Sequence, residues 1–545
     1  MLTSLYLCIK KKLVTMKRFF LTLMLALPAL ACDPTENIPS DSAEDVDGVE
    51  KVSHEMIVLG DKLEDPYSVS NVEAAVRSVY PDKAGRITIS ATDIYVRFLP
   101  RDEDEYDALV NAGLVLMDHP LDYEIVKDGD YYHDPTLSDG EITWQYAVVS
   151  PDFKFPDGIV YEVLDECYIA DNDKLTRSDD IDWTLVEQEA YRLTGNSDLY
   201  MPATRADKSK PKGRITIVDP DYNGGEPVGV AGVRVSCNSF VKFSHAYTDE
   251  NGYYQINRSY SSKIRYRLVF KNTLGFAIGF NLLLVPASTS AMGKNSPEGV
   301  DLNITSNSER KLFCRAVVNN AAYEYITKCS QEGMTIKAPP TTTRFWIFQD
   351  ITSSSSPMLQ QGTFLSTGVI AGLLNKYLGA YKELLKVFLP DITLGLKNVN
   401  DYSSIYAKVC HELAHASHFA QVGKSYWDKF IIFILTSYLN SEKVYGNGDE
   451  DNAGYCEVGE MWGYYMENKM YRERYGDESF ARGTSYWFSP QIFMYLDERG
   501  MDRSKIFAAL TKEVNDRETL QSKLQTLYPE YDSIIEEAFS RYPEQ

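Results

Sequence analysis

The chain has 545 residues, too many for one hydrophobic core, so about three or four domains are expected. Apolar residues make up 44% and aromatic residues 12%, a composition that folds and is neither disordered nor fibrous. With 78 acidic against 55 basic residues the net charge is −23, which argues against a nucleic-acid partner, because phosphate binding needs a concentrated basic surface; the charge reads as a solubility feature.

Met16-Lys17-Arg18 is a basic start, Phe19 to Pro28 is a short apolar run, and Ala29-Leu30-Ala31 ends in small residues before Cys32. This arrangement resembles a bacterial lipoprotein signal over residues 1–31, with Ala29 where leucine is usual. The resemblance implies cleavage ahead of Cys32 and a lipid on that cysteine. Met16 is then the expected start, and residues 1–15 are an upstream reading artefact or an extended n-region. Residues 32–50 are acidic, contain Pro and Ser and almost no apolar residues, so they read as a flexible tether. They are similar to the surface-display signals of Bacteroidetes lipoproteins, which implies the outer membrane and the cell surface, a periplasm-facing anchor being the alternative. No later apolar run reaches the ~18 residues of a membrane span, so the anchor would be lipid alone.

Residues 51–208 read as an α+β module. Helices are predicted over Asn71 to Val79, Asp102 to Asn111 and Ile181 to Thr194, and strands over Tyr95 to Leu99, stopping at Pro100, and Ile142 to Val149. The stretches Tyr95 to Pro100 and Asp118 to Tyr123 resemble an N-terminal module of Bacteroidetes lipoprotein peptidases. His119 and His133 read as turn or surface histidines.

Thr204 to Gly213 is basic and polar and reads as a linker. Strands follow over Gly213 to Asp219, Pro227 to Val235 and Tyr247 to Ile256, with Asn251-Gly252 as a hairpin signal. Over residues 209–289 this order resembles the carboxypeptidase-regulatory-like β-sandwich, transthyretin-like in shape, which implies a spacer or interaction module. His245 reads as a surface strand residue.

Residues 290–545 are predicted to be mainly helical. Arg315 to Lys328, Gly368 to Phe388 and the apolar stretch Trp427 to Leu439 read as helices, the last buried and broken by Asp428 and Lys429. Arg344 to Phe348 is a strand that either lines a cleft with its edge or lies in the core.

His411-Glu412-Leu413-Ala414-His415 carries the chemistry. Residues i and i+4 share a helix face, so both imidazoles can reach one ion while Glu412 sits beside it as a base for bound water. Ile405, Val409, Leu413 and Ala416 give that helix a buried stripe, and Gly423 is a natural αL terminator. A third ligand is expected downstream. Glu460-Met461-Trp462-Gly463 resembles the Glu-x-x-Ala stretch of the gluzincins, the thermolysin and zinc-aminopeptidase group, in which the glutamate binds zinc and the small residue lets two helices approach. Glu457, one turn earlier on the same face, competes for that role. His418 shares the histidine face but lies about 4.5 Å farther along, where an outer or solvent-facing role is expected. The third histidine of a metzincin is missing. Lys408 and Ser417 depart from the usual gluzincin surround. Gluzincins also steady the oxyanion with a Tyr or His; Tyr464, Tyr465 and Tyr486 are candidates that no motif marks. Cys410 and Cys456 flank the site and read as buried thiols, a disulfide between them being the alternative.

The expected fold class is therefore multidomain α+β: an N-terminal α+β module, a transthyretin-like β-sandwich and a mainly α-helical zinc-peptidase domain. The resemblance implies a lipid-anchored peptidase acting on proteins or glycoproteins, with Zn2+ on His411, His415 and Glu460 and Glu412 as the catalytic base. A surface ligand- or glycan-binding lipoprotein with a weakly active peptidase-like domain is the alternative, and an envelope-assembly scaffold a third.

Overall fold

Alternation along Tyr95-Val96-Arg97-Phe98 sets the architecture of the first unit, because successive side chains leave a strand on opposite faces. In the computed structural model, which describes residues 56–543 except 139–140, 171–180, 202–208, 281–286, 288, 332, 350–351, 364–388 and 442–443, these residues form a central strand. The expected signal, Cys32, the tether and the helix expected over Gly368 to Phe388 lie outside the described residues. The unit contains β1 (Val58–Lys62), α1 (Val69–Val79), β2 (Asp93–Leu99), α2 (Glu103–Asn111), β3 (Tyr123–Lys127), β4 (Gln145–Val149), β5 (Val160–Cys167) and α3 (Trp183–Leu193). β2 pairs antiparallel with β4 and β5. Val96 and Phe98 pack with Leu109 of α2, while Tyr95 enters a second cluster with Tyr146 and Tyr191. Asp102 caps α2 by accepting from the Glu105 amide at 3.0 Å, and Asp182 caps α3 through the Thr184 amide at 2.9 Å.

Two sheets follow. β6 (Lys212–Ile217), β7 (Val228–Gly229), β10 (Tyr253–Gln255) and β14 (Leu302–Ile304) form the smaller one. The larger contains β8 (Val233–Ser239), β9 (Lys242–Tyr247), β11 (Ile264–Asn272), β12 (Ala277–Phe280), β13 (Thr289–Asn295), β15 (Arg344–Phe348) and β16 (Ile392–Gly395), in the order β16-β15-β12-β11-β8-β9 with β13 also on β11. Ile215 and Ile217 of one sheet and Val233, Val235, Tyr266 and Leu268 of the other share one apolar core.

Two expectations meet a different outcome here, and one open alternative is decided. Asn251-Gly252 does make a turn, with Gly252 at φ +83° and its amide bonded to the Asp249 carbonyl at 3.0 Å. The flanking strands do not pair as a hairpin, however: β9 joins β8 and β10 joins β6, so the turn is a corner between sheets. A Cβ at 252 would also strike the Ile215 carbonyl, which keeps the position glycine. Secondly, β15 lies between β12 and β16, parallel to both, so it is a core strand with no free edge to offer a cleft. Thirdly, the larger sheet runs across the expected 289/290 boundary, because β12 hands its free edge to β15. Residues on both sides of that boundary share one sheet and one hydrophobic core.

The remaining chain is helical: α4 (Arg310–Lys328), α5 (Tyr402–Val422), α6 (Lys424–Ser441), α7 (Ala453–Tyr475), α8 (Gln491–Glu498), α9 (Arg503–Ala509), α10 (Arg517–Leu527) and α11 (Asp532–Arg541). The whole is a mixed α+β protein. α5 lies against α4, α6, α7 and β16, which explains why its stripe Ile405, Val409, Leu413 and Ala416 is wholly buried. It ends at Gly423, whose φ of +82° and ψ of 175° are positive-φ but extended rather than left-handed helical. α6 covers the expected apolar stretch, with Trp427, Phe433 and Ile434 buried. Among the described residues no helix is long and apolar enough to cross a membrane.

Candidate metal centre

One turn of α5 brings the two imidazoles together, with His411 Nε2 and His415 Nε2 3.0 Å apart. Glu460, on α7, faces both: Oε2 is 3.5 Å from His411 Nε2 and Oε1 is 3.5 Å from His415 Nε2. A tetrahedral ion with bonds of about 2.0–2.2 Å spaces its ligand atoms by about 3.4 Å, so three donors at these separations fit one ion. Among the described residues this is the one group of His, Cys, Asp and Glu that could hold a metal.

Helix packing creates this closeness. Gly463 stands where α7 passes the histidines, and a Cβ there would lie 2.9 Å from His415 Cε1 and 3.0 Å from His411 Nε2. The indole of Trp462 donates to the Ala414 carbonyl of α5 at 3.1 Å and ties the helices at that level. Phe430 of α6 closes the other side, its ring 5.6 Å from that of His415.

A surrounding shell orients the donors. His411 Nδ1 is 3.1 Å from Glu467 Oε2, so a proton held on Nδ1 leaves the Nε2 lone pair for an ion. Arg482 stands 3.4 Å from the other oxygen of Glu467. The Tyr445 hydroxyl donates to Glu460 Oε2 at 3.3 Å. The Ser356 hydroxyl lies 2.7 Å from Glu412 Oε2 and 2.9 Å from the Glu412 carbonyl, holding that carboxyl beside the histidines. Ser356 is itself fixed by the Trp427 indole, which donates to its carbonyl at 2.8 Å.

Electrostatics follows from enclosure, since His411, Glu412, His415 and Glu460 are each 3% exposed or less. Burial lowers the pKa of His411, but hydrogen bonds and charge from Glu460 and Glu467 outweigh it and lift the imidazole to about 10. Burial raises Glu460, but His415 and His411 overcome this and hold it down at about 2. Burial pushes Glu412 up, with the histidines and Ser356 opposing, which is the direction a carboxylate needs to accept a proton near neutrality.

The remaining expected residues separate. Glu457 turns away from the histidines to Arg517 of α10, whose Nη1 is 3.6 Å from Oε1. His418 is fully buried rather than solvent-facing; neither ring nitrogen has a hydrogen-bond partner, Tyr426 and Trp427 enclose the ring, and burial drives its pKa to about 3, so it is a neutral packing residue. Tyr464 packs edge-to-face with the His411 ring, centroids 4.5 Å apart, and its hydroxyl lies 3.4 Å from that of Tyr445. Tyr486 packs behind it at 5.6 Å, whereas Tyr465 packs on Trp462 and Phe493. Ser417 is buried 3.2 Å from the Tyr325 hydroxyl, and the Lys408 ammonium reaches the Thr352 carbonyl. Cys410 and Cys456 are buried free thiols without a disulfide. His119 is buried and bonded to Asp118 at 2.7 Å, not at the surface.

Sequence reasoning missed Glu467, Tyr445 and Ser356. Glu467 carried a signal, since it follows Glu460 by two helical turns and shares its face. Ser356 carried none, because it meets Glu412 across 56 residues of chain. No family model matches this chain, and no curated protein or solved structure matches it.

Proposed function

We propose that this chain is a zinc-dependent peptidase of gluzincin type, held at the outer surface of the cell by a lipid on Cys32 and acting on protein or glycoprotein substrates. The observation that carries the reading is the convergence of His411, His415 and Glu460 at ligand spacing, with Glu412 one residue along the same helix. His411, His415 and Glu460 would hold the zinc, which when bound would supply a Lewis acid for a scissile carbonyl and a water of near-neutral pKa. Glu412, whose carboxyl the Ser356 hydroxyl keeps aimed at the site, would be the general base that accepts a proton there and hands it to a leaving amine. Tyr464, beside His411, is the better placed of the three tyrosines to steady the developing oxyanion. In the same reading, residues 51–208 are a lipoprotein-peptidase module, and the strands from residue 209 onward are a carboxypeptidase-regulatory-like, transthyretin-like sandwich whose larger sheet continues into β15 and β16.

The enclosure of the four key side chains favours a second reading, a metal-holding surface protein that binds a ligand or glycan and turns over little. Metal analysis of the exported chain, followed by a proteome-wide cleavage screen with wild type and Glu412→Gln, separates the two. The peptidase predicts one zinc per chain in both proteins, with cleavage in wild type alone. A wild type that is fully loaded and leaves every substrate intact transfers the assignment to the binding reading. Cys32→Ser tests the anchor and should move the protein to the soluble exported fraction.

A further inference from the structure

The face of the larger sheet that points away from the core carries an unusual set of side chains. Alternation along β8 buries Val233, Val235 and Cys237 in the core and sends Arg234 and Ser236 to the other side. Along β11 it buries Tyr266, Leu268 and Phe270 and exposes Arg267 and Lys271 to that same side. Register then lines them up in rows: Arg267 beside Ser236 beside His245, and Val269 beside Arg234 beside Tyr247. The N-terminal module roofs these rows with Tyr106 of α2 and the stretch from Gly113 to His119, leaving a partly open cavity of about 250 Å³.

Its charge runs against that of the chain. In a protein of net charge −23, three cations line this cavity against a single carboxylate among the described lining residues. That carboxylate, Asp118, is already committed to His119 at 2.7 Å and to the Tyr132 amide at 2.6 Å. Arg267 reaches out of the cavity to Asp128 at 2.6 Å, leaving a buried Nε without a partner. Arg234 has the Tyr247 hydroxyl for company and no carboxylate, and its Nε is likewise buried and unpartnered. The Ser236 hydroxyl, 8% exposed, has no partner either. Burial pulls the pKa values of Arg234 and Lys271 down, the mark of cations held without adequate counter-charge. Buried guanidinium nitrogens and hydroxyls without a partner, such as the Nε atoms of Arg234 and Arg267 and the Ser236 Oγ, destabilise a fold unless something outside the chain completes them.

We propose that this cavity is a binding site for a small ligand carrying a carboxylate or sulfate, gripped by Arg234 and Lys271 with Ser236 as an additional donor. Arginine suits a planar two-oxygen anion, and the aromatic walls Tyr106, Phe243 and Tyr247 supply an apolar face for the rest of the ligand. The volume is below the roughly 300–1,000 Å³ of sites for drug-sized ligands, so the occupant is the size of one acidic sugar or one amino acid. The site lies on the sheet face opposite the core that carries α5, and it needs no metal.

The test uses the full exported chain in buffers of matched ionic strength, with sulfate, glucuronate and glutamate as probes and chloride as reference. Thermal unfolding should rise with at least one probe and saturate, since a ligand that binds only the native state stabilises it in proportion to its occupancy. Glucuronate acting alone identifies a sugar source for the anion, and glutamate acting alone an amino-acid source. Arg234→Met and Lys271→Ala should each weaken the response at least about tenfold, as expected for a lost charge-assisted hydrogen bond. Arg234→Met should also match or exceed wild-type stability without ligand, because it removes a guanidinium that faces no carboxylate and whose buried Nε lacks a partner. Glu460→Gln should leave the response unchanged, which separates this site from the metal centre. No probe exceeding chloride, or an undiminished response in both cavity variants, overturns the proposal.

Discussion

Gly463→Ala puts the geometry of the metal centre to its sharpest test, because elementary helix propensity and the observed packing predict opposite results. An alanine inside an exposed helix is favoured over glycine by about 1 kcal/mol. Here the new methyl would lie 2.9 Å from His415 Cε1 and 3.0 Å from His411 Cε1 and Nε2, closer than carbon atoms normally sit. Overpacking of a tight core costs about 1–3 kcal/mol, so the metal-free variant should be unchanged or weakened by up to about 2 kcal/mol. The larger effect falls on the metal. Free imidazoles can rotate away from the methyl, whereas imidazoles that share one ion with Glu460 cannot, so affinity should drop by about 10–100-fold, the range for disturbed ligand orientation. Denaturant unfolding of the chelated protein gives the first quantity, and competition with a chromophoric zinc chelator gives the second. Gly459→Ala is the control: its methyl would meet only Phe430, at 3.1 Å, and metal affinity should stay at the wild-type level. A Gly463→Ala protein that gains about 1 kcal/mol and keeps wild-type affinity would refute the close approach of α7 to the histidines.

Glu460→Gln should lose the metal while Glu457→Gln keeps it, and the second variant should instead lose stability through its severed contact with Arg517; metal content and unfolding midpoints measured side by side check both. Glu467→Ala should weaken zinc binding about 10–100-fold without abolishing it, because it orients His411 rather than touching the ion; complete loss would make it a ligand. Asp65 offers a pH test remote from the site, since burial and the nearby Asp122 and Asp165 carboxylates raise it to about 8 despite the hydrogen bond from the Tyr67 amide. The unfolded chain loses this proton near pH 4 and the folded chain only near pH 8, so the contribution to stability is intact below about pH 4 and falls, by up to about 1.4 kcal/mol per unit, as pH rises through that window. Asp65→Asn should therefore outperform wild type increasingly from about pH 5 to about pH 8 in urea unfolding, and a constant difference across that range contradicts the assignment.

The local pattern of the sequence was enough for the turn of helix that carries His411, Glu412 and His415, because i and i+4 spacing is settled within one helix and needs no partner. It was enough too for α2 and α3 of the N-terminal unit and for strands β2, β6 and β15, where short-range caps and alternation act over a few residues, but not for β11, β12, β13, β14 and β16, for which the sequence raised no expectation. It left Glu460 and Glu457 open, since both lie on one helix face and only the packing of α7 on α5, at Gly463, and of α10 on Glu457, through Arg517, separates them. The same limit hid Ser356 and misdirected the Asn251-Gly252 corner, whose turn is local but whose strand partners are chosen by hydrogen-bonding edges far away in the chain. The cationic cavity was equally invisible: alternation puts Arg234, Ser236, Arg267 and Lys271 on one face, but only the register of β8, β9 and β11 and the roof of the N-terminal unit turn that face into a roofed, partly open site. Spacing along one element is written in the chain, whereas the meeting of two elements is decided by the burial of apolar surface summed over the whole molecule.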